Sequence, residues 1–313
     1  MTTTRHLRRT AVAAALLLLA GCAGAPAVTP AAAPAQPEAA APAAVPAATD
    51  CADGTTSYAP DGGPAPTVDA IRARGALVVG VSADTLLMGA RNPLSGQIEG
   101  FDIDVLHAIS AAIFGGDPNR LQFRVITSAQ RLDVLTGHEV DLVARTFTMN
   151  CERWDSIAFS AEYLHAGQKV LVTRDSDATG IDDLAGQRVC APDGTTTLTR
   201  LQETYPEVTA VSAPTHTGCL VLFQQGKVDA ITGDDSILAG FAAQDPYAKV
   251  VGDAFSDEPY GIGVAADQVD LVRFVNGVLD RMKADGTWAA TYDRWLGALG
   301  PAPVPPTSVY GRS

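Results

Sequence analysis

Between residues 145 and 160 the chain reads "RTFTMNCERWDSIAFS", with Arg145 and Arg153 on either side of Thr146, Thr148 and Cys151. A guanidinium offers two parallel N–H donors that match the two oxygens of a carboxylate, and a threonine hydroxyl adds a single donor. Arginines set among hydroxyls at the end of an apolar run therefore suit the grip of a small anion. The competing role is structural: Arg153 bracing the Cys151 loop through a carboxylate such as Asp155, with Thr146 and Thr148 as strand residues bearing exposed hydroxyls. The formal net charge of the whole chain is −13. So negative a field does not steer small anions from a distance, so an anion site here must be local and built from a few aimed cations. The same charge argues against nucleic acid as a partner, because phosphate binding needs a basic face.

The elements around these residues read as α/β. About 230 residues between Thr67 and the tail "GPAPVPPTSVYGRS" are enough for two domains. Strand-like runs "ALVVGVS" (76–82), "LQFRVI" (121–126) and "VDLVAR" (140–145) alternate with helical patterns at 101–115 and 129–137. The second half repeats the alternation, with strands in "GQRVCAPDG" and "VDAITG" and helices in "TTTLTRLQETY", "CLVLFQQGK" and "SILAGFAAQ". "LDVLTGHEVDLVARTFT" and "CLVLFQQGKVDAITGDD" run parallel: an apolar helix, a glycine turn, then Val-Asp and a strand ending in polar residues. Open α/β sheets bind ligands at such carboxyl ends, so two clusters, one per lobe, predict a cleft. In the last helical pattern, Trp288, Tyr292 and Trp295 are expected to pack rather than to touch ligand.

The N-terminus reads as an export signal over residues 1–21, with Arg5, Arg8 and Arg9 before the apolar run Ala11–Ala20. "LAGC" resembles a lipobox that makes Cys22 the lipidated mature N-terminus, and residues 22–66 read as an Ala/Pro-rich tether. Loss of the signal removes three arginines and takes the charge to −16. The folded part is thus expected at the extracytoplasmic face of the membrane, held by lipid. Cys51, Cys151, Cys190 and Cys219 remain, an even count that suggests two disulfides outside the cytoplasm. Three pairings are open; Cys190–Cys219 within one lobe and Cys51–Cys151 at the end of the tether are favoured. No Cys-x-x-Cys or histidine cluster is present, so neither metal nor cofactor is expected.

"LVVGVS", "GFDIDV", "VDLVARTFTMNCERWDSIAFSAEY", "GTTT", "VDAITGDDSILAG", "PYGIGV" and "DGTWAATYDRWLG" occur in that order from about Val68 to Gly300. In order and spacing the chain resembles the type II periplasmic amino-acid-binding proteins (solute-binding protein family 3), and among them the glutamine-binding lipoproteins of actinobacteria. The resemblance implies a two-lobe fold with a hinged cleft: lobe 1 from 67–165 and 261–300, lobe 2 from 166–260, and a tail at 301–313. It implies Arg153 as the clamp on a ligand α-carboxylate, aided by Thr148 and Thr146. Thr195 and Thr196 stand at a helix start where backbone N–H groups face an anion. Asp234, or Asp235 one residue on, takes the α-ammonium group. "VITSAQRLDVL" resembles the Ser-x-x-Arg of acidic amino-acid binders, on Ser128 and Arg131, with Arg145 as a second cation. That pocket favours aspartate or glutamate, with asparagine and glutamine next. A monomer is expected that hands ligand to an ABC-type permease or reports it to a membrane signalling protein. The alternative is an enzyme on the same fold, a dehydratase or lytic transglycosylase, with Glu162 or Glu258 as its acid.

Overall fold

The computed structural model describes residue 51 and residues 54–313, which belong to one compact unit. The export signal, Cys22 and the tether up to residue 50 lie outside the described residues.

Strand–helix alternation resolves into two sheets. In lobe 1 the order is Leu121–Val125, Leu77–Val81, Leu142–Val143, Gly263–Ala265, Ile157–Phe159; the first three are parallel and Gly263–Ala265 is antiparallel to its neighbours. Lobe 2 has the order Thr209–Ala213, Arg188–Pro192, Ala230–Asp234, Leu164–Thr173, Ala248–Val251. The Val-Asp repeat has one structural meaning in both. Asp141 accepts the Val78 N–H at 2.7 Å, and Asp229 accepts the Arg188 N–H at 2.8 Å, each pinning the start of the neighbouring strand. Inward-facing Val79, Val81, Leu142 and Val143 are fully buried because helices cover both faces of the sheet.

Two antiparallel segments join the lobes. Leu164–Gly167 leads out of lobe 1 and pairs residue by residue with Asp257–Tyr260 on the way back. Two crossing strands form a hinge, the arrangement that lets lobes close over a ligand.

The predicted strand 140–145 is shorter than expected. Only Leu142–Val143 pairs regularly; the chain then leaves the sheet and Thr146 turns with φ 42°. The physical cause is Asp102, which takes the Thr146 N–H at 3.0 Å in place of a sheet partner. The ends of the chain also differ from expectation. Residues 54–66 and the tail pack on lobe 1, where Ser57–Tyr58 pairs in parallel with Tyr310–Arg312. Their polar partners come from far along the chain: the Trp154 indole donates to the Gly54 carbonyl, and the Asn276 amide donates to Ser57 Oγ and the Tyr58 carbonyl. Composition alone does not register such partners. Trp288 and Tyr292 are core residues against Phe101. Among the described residues no helix is long and apolar enough to cross a membrane.

Candidate functional site

Strand ends and helix starts from both lobes meet around a nearly closed cavity of about 10 Å³. Lobe 1 contributes Arg131, Thr146 and Thr148; lobe 2 contributes Thr195–Thr197, His216, Gly233, Asp234 and Ile237. Arg153 stands at its edge and lines a wider groove of about 380 Å³ together with Asn150, Glu152, Thr199 and Arg200.

The two arginines nearest the cavity share a support. Both guanidiniums lie over the Phe147 ring, Arg131 at 4.3 Å and Arg153 at 5.0 Å from its centroid. Arg131 donates to the carbonyls of Ser128, Arg145 and Thr146 at 2.9, 3.2 and 2.9 Å. Arg153 sits in the short helix Cys151–Trp154, capped by the Asn150 side chain, and donates to the Thr148 carbonyl at 2.5 Å. Each also reaches the Gly194 carbonyl of lobe 2, at 2.9 and 3.4 Å. Burial lowers the affinity of both groups for their protons; Arg153 comes down to about 10, and Arg131 is pushed further by Arg153 and Arg145 beside it. Two buried, mutually repelling cations are an environment that an anion relieves.

Arg145 and Ser128 stand behind this layer and do not line the cavity. Arg145 donates to the Ile126 carbonyl at 2.8 Å and to Ser128 Oγ, and its Nη2 lies 3.8 Å from Asp84. Thr195 spends its hydroxyl on the helix Thr196–Thr204, accepting the Leu198 N–H and donating to the Pro192 carbonyl. Thr196 donates to Glu258 at 2.6 Å and lies 3.5 Å from Thr148 Oγ1 across the cleft.

On the opposite wall, Asp234 ends its strand with one carboxylate oxygen accepting from the Tyr260 hydroxyl. The other oxygen is buried without a partner. Burial first, and Glu258 second, push this carboxyl up to about 8. An unpaired buried acceptor is costly, and a cationic donor would satisfy it. Asp235, the first residue of the following helix, instead accepts the Ser236 N–H at 2.7 Å and the Gly167 N–H at 3.4 Å.

Sequence reasoning missed four contributors: Phe147, His216, Tyr260 and Asp102. His216 is buried with Nδ1 unpartnered, and burial, with Arg145 nearby, holds it neutral with a pKa of about 3. Its one local signal was the helix start at Thr215, whose hydroxyl caps Gly218 N–H. The lobes touch beyond the cavity too: Thr217 donates through its N–H and hydroxyl to Asp84, at 3.2 and 2.8 Å. Both disulfides are present, Cys51–Cys151 and Cys190–Cys219, and among the described residues no cluster of His, Cys, Asp and Glu could hold a metal ion.

Comparison with known proteins agrees with this architecture. The chain is 36% identical over 231 residues to the ABC transporter glutamine-binding protein GlnH of Bacillus subtilis, covering 74% of this chain and 84% of that one. It is 33% identical over 234 residues to the glutamate-binding protein GluB of Corynebacterium glutamicum, covering 71% and 79%. Among solved structures, an ancestral arginine-binding protein bound to glutamine superposes with a TM-score of 0.67 at 30% identity, covering 72% of this chain and 99% of that one. Residues 77–298 match the model of one family in full sequence order, and the chain belongs to the bacterial extracellular solute-binding proteins, family 3.

Proposed function

We propose that this protein is a non-catalytic, extracytoplasmic binding protein whose lobes close over a polar L-amino acid. The observation that carries the reading is an unpartnered Asp234 oxygen in one small cavity with the buried Arg131 guanidinium, Arg153 standing at its edge. The chemistry of this lining suits a zwitterion admitted when the lobes part: Asp234 for the α-ammonium group, and Arg153 with Thr148, Thr146 and the start of the helix at Thr195–Thr196 for the α-carboxylate. Arg131, backed by Ser128 and Arg145, then faces the ligand side chain together with neutral His216. The relatives named for glutamine and glutamate support a ligand of that size and polarity. Aspartate and glutamate are the first expectation, with asparagine and glutamine next.

The relatives are named as binding proteins, and Glu258, the acid of an enzymatic alternative, already accepts from Thr196 and Ser256. Lipid anchoring through Cys22 and delivery to an ABC permease complete the proposal. A membrane signalling partner is the second candidate, and pull-down from detergent extracts with and without ligand separates the two. The test of the central reading is calorimetric titration of the unfolded and refolded protein with each of the twenty amino acids. Saturable heat with acidic or amide amino acids supports it. No heat with any of them overturns it.

A further inference from the structure

Each of the two hinge segments carries a buried tyrosine whose hydroxyl is spent on a buried acid. Tyr163 immediately precedes the outgoing strand and donates to Asp102 at 2.6 Å. The other Asp102 oxygen holds the Thr146 N–H, and the Thr146 carbonyl in turn accepts from Arg131. A β-branched residue at φ 42° is strained and persists only where its surroundings hold it. Tyr260, at the end of the return strand, donates to Asp234 and leaves the second oxygen of that carboxylate unpaired toward the cavity. The two tyrosines meet at one point of the hinge: the Tyr163 N–H donates to the Tyr260 carbonyl at 2.8 Å, with ring centroids 6.3 Å apart.

We infer that Tyr163 and Tyr260 are positioning residues that reference both binding faces to the hinge: Tyr260 aims Asp234, and Tyr163, through Asp102, holds Thr146 and with it Arg131. Phenylalanine would fill the same volume, so the hydroxyls are the feature that needs explaining; each is spent on an acid that touches the cavity or its lining. The assignment rests on the ligand reading above. Asp234 faces Glu258 and Tyr260 from the return strand, Asp235 from the following helix, and Arg131 and Arg153 from lobe 1, with His216 in the same cavity wall. Asp102 faces Tyr163, Arg145 and Arg131.

The test uses Tyr260→Phe and Tyr163→Phe, with carbon-13 NMR titration of the Asp234 and Asp102 carboxyls in the folded protein and amino-acid affinity measured beside it. Tyr260→Phe should move the Asp234 titration to higher pH and leave Asp102 in place; Tyr163→Phe should do the reverse. Each should weaken binding by about ten- to a hundredfold, the worth of a hydrogen bond to a charged group. An unmoved carboxyl titration overturns the inference, as does unchanged affinity in both variants. A wild-type protein that binds no amino acid overturns the ligand reading instead, and the carboxyl titrations still decide whether the tyrosines hold the two acids.

Discussion

Replacing Asp234 with asparagine should stabilise the ligand-free protein while abolishing its binding. The Asp234 carboxyl is raised from 3.8 to about 8, so at neutral pH it stays protonated in the folded state and ionises on unfolding. Stability from such a group is complete below the unfolded value and is lost as pH rises through the folded one. At about 1.4 kcal/mol per unit over the interval from 3.8 to pH 7, the native state gives up on the order of 4 kcal/mol compared with a side chain that does not ionise. Asparagine keeps an oxygen for the Tyr260 hydroxyl and has nothing to ionise. For a body of this size that corresponds to a rise in Tm of roughly 5–15 °C. Thermal unfolding of both proteins between pH 6.5 and 8.5 is the assay, read as the difference between them so that the groups they share, Asp102 and His216 included, cancel. The wild type should lose stability relative to the variant as pH rises towards 8. Parallel curves, or a less stable variant at pH 8, would refute the reasoning.

Arg153→Ala should leave a ligand carboxylate buried and unpaired, at a cost of about 3–5 kcal/mol, and calorimetry should find binding lost at ordinary concentrations. Gly240 lies where a Cβ would come within 2.5 Å of the Leu86 carbonyl across the cleft. Gly240→Ala should therefore hold the lobes apart and weaken binding, while alanine in the helix gains about 1 kcal/mol of intrinsic stability; small-angle scattering and melting curves check both halves. Removing the Cys190–Cys219 bridge, whose cysteines are 29 positions apart, should cost about 3–4 kcal/mol of stability in denaturant unfolding. Because His216 stays neutral down to about 3, the ratio of glutamate to glutamine affinity between about pH 5.5 and 7.5 should follow the same pH profile in His216→Gln as in the wild type, whatever Asp102 contributes near 6. A ratio that climbs on acidification in the wild type and not in the variant would show the imidazole taking a proton.

The fold could be read from the sequence because its signals are local and repeated. The alternation of apolar runs with helical patterns, and the Val-Asp that recurs before Leu142 and Ala230, mark strands whose carboxyl ends face the cleft. What stayed hidden depends on contacts between distant segments. Phe147 is an ordinary apolar residue in the sequence, and only the fold lays two guanidiniums on its ring. His216 stands 71 positions after Arg145, and it is the meeting of the two lobes that places both beside Asp84. The tail looked featureless because proline and glycine dominate it, yet Tyr310 bonds Asp280 and Arg312 lies over the Trp154 ring at 3.7 Å. Composition records neither partner.

The parallel pairing of Ser57–Tyr58 with Tyr310–Arg312 brings the start and the end of the folded chain to one flank of lobe 1. Lobe 2 contains neither end and is reached only through the two hinge strands. A fluorescent protein fused after Ser313 would therefore ride on lobe 1 and add no load to the swinging half. Paired with a dye on the exposed Asp175 of lobe 2, it would turn closure of the cleft into an optical signal.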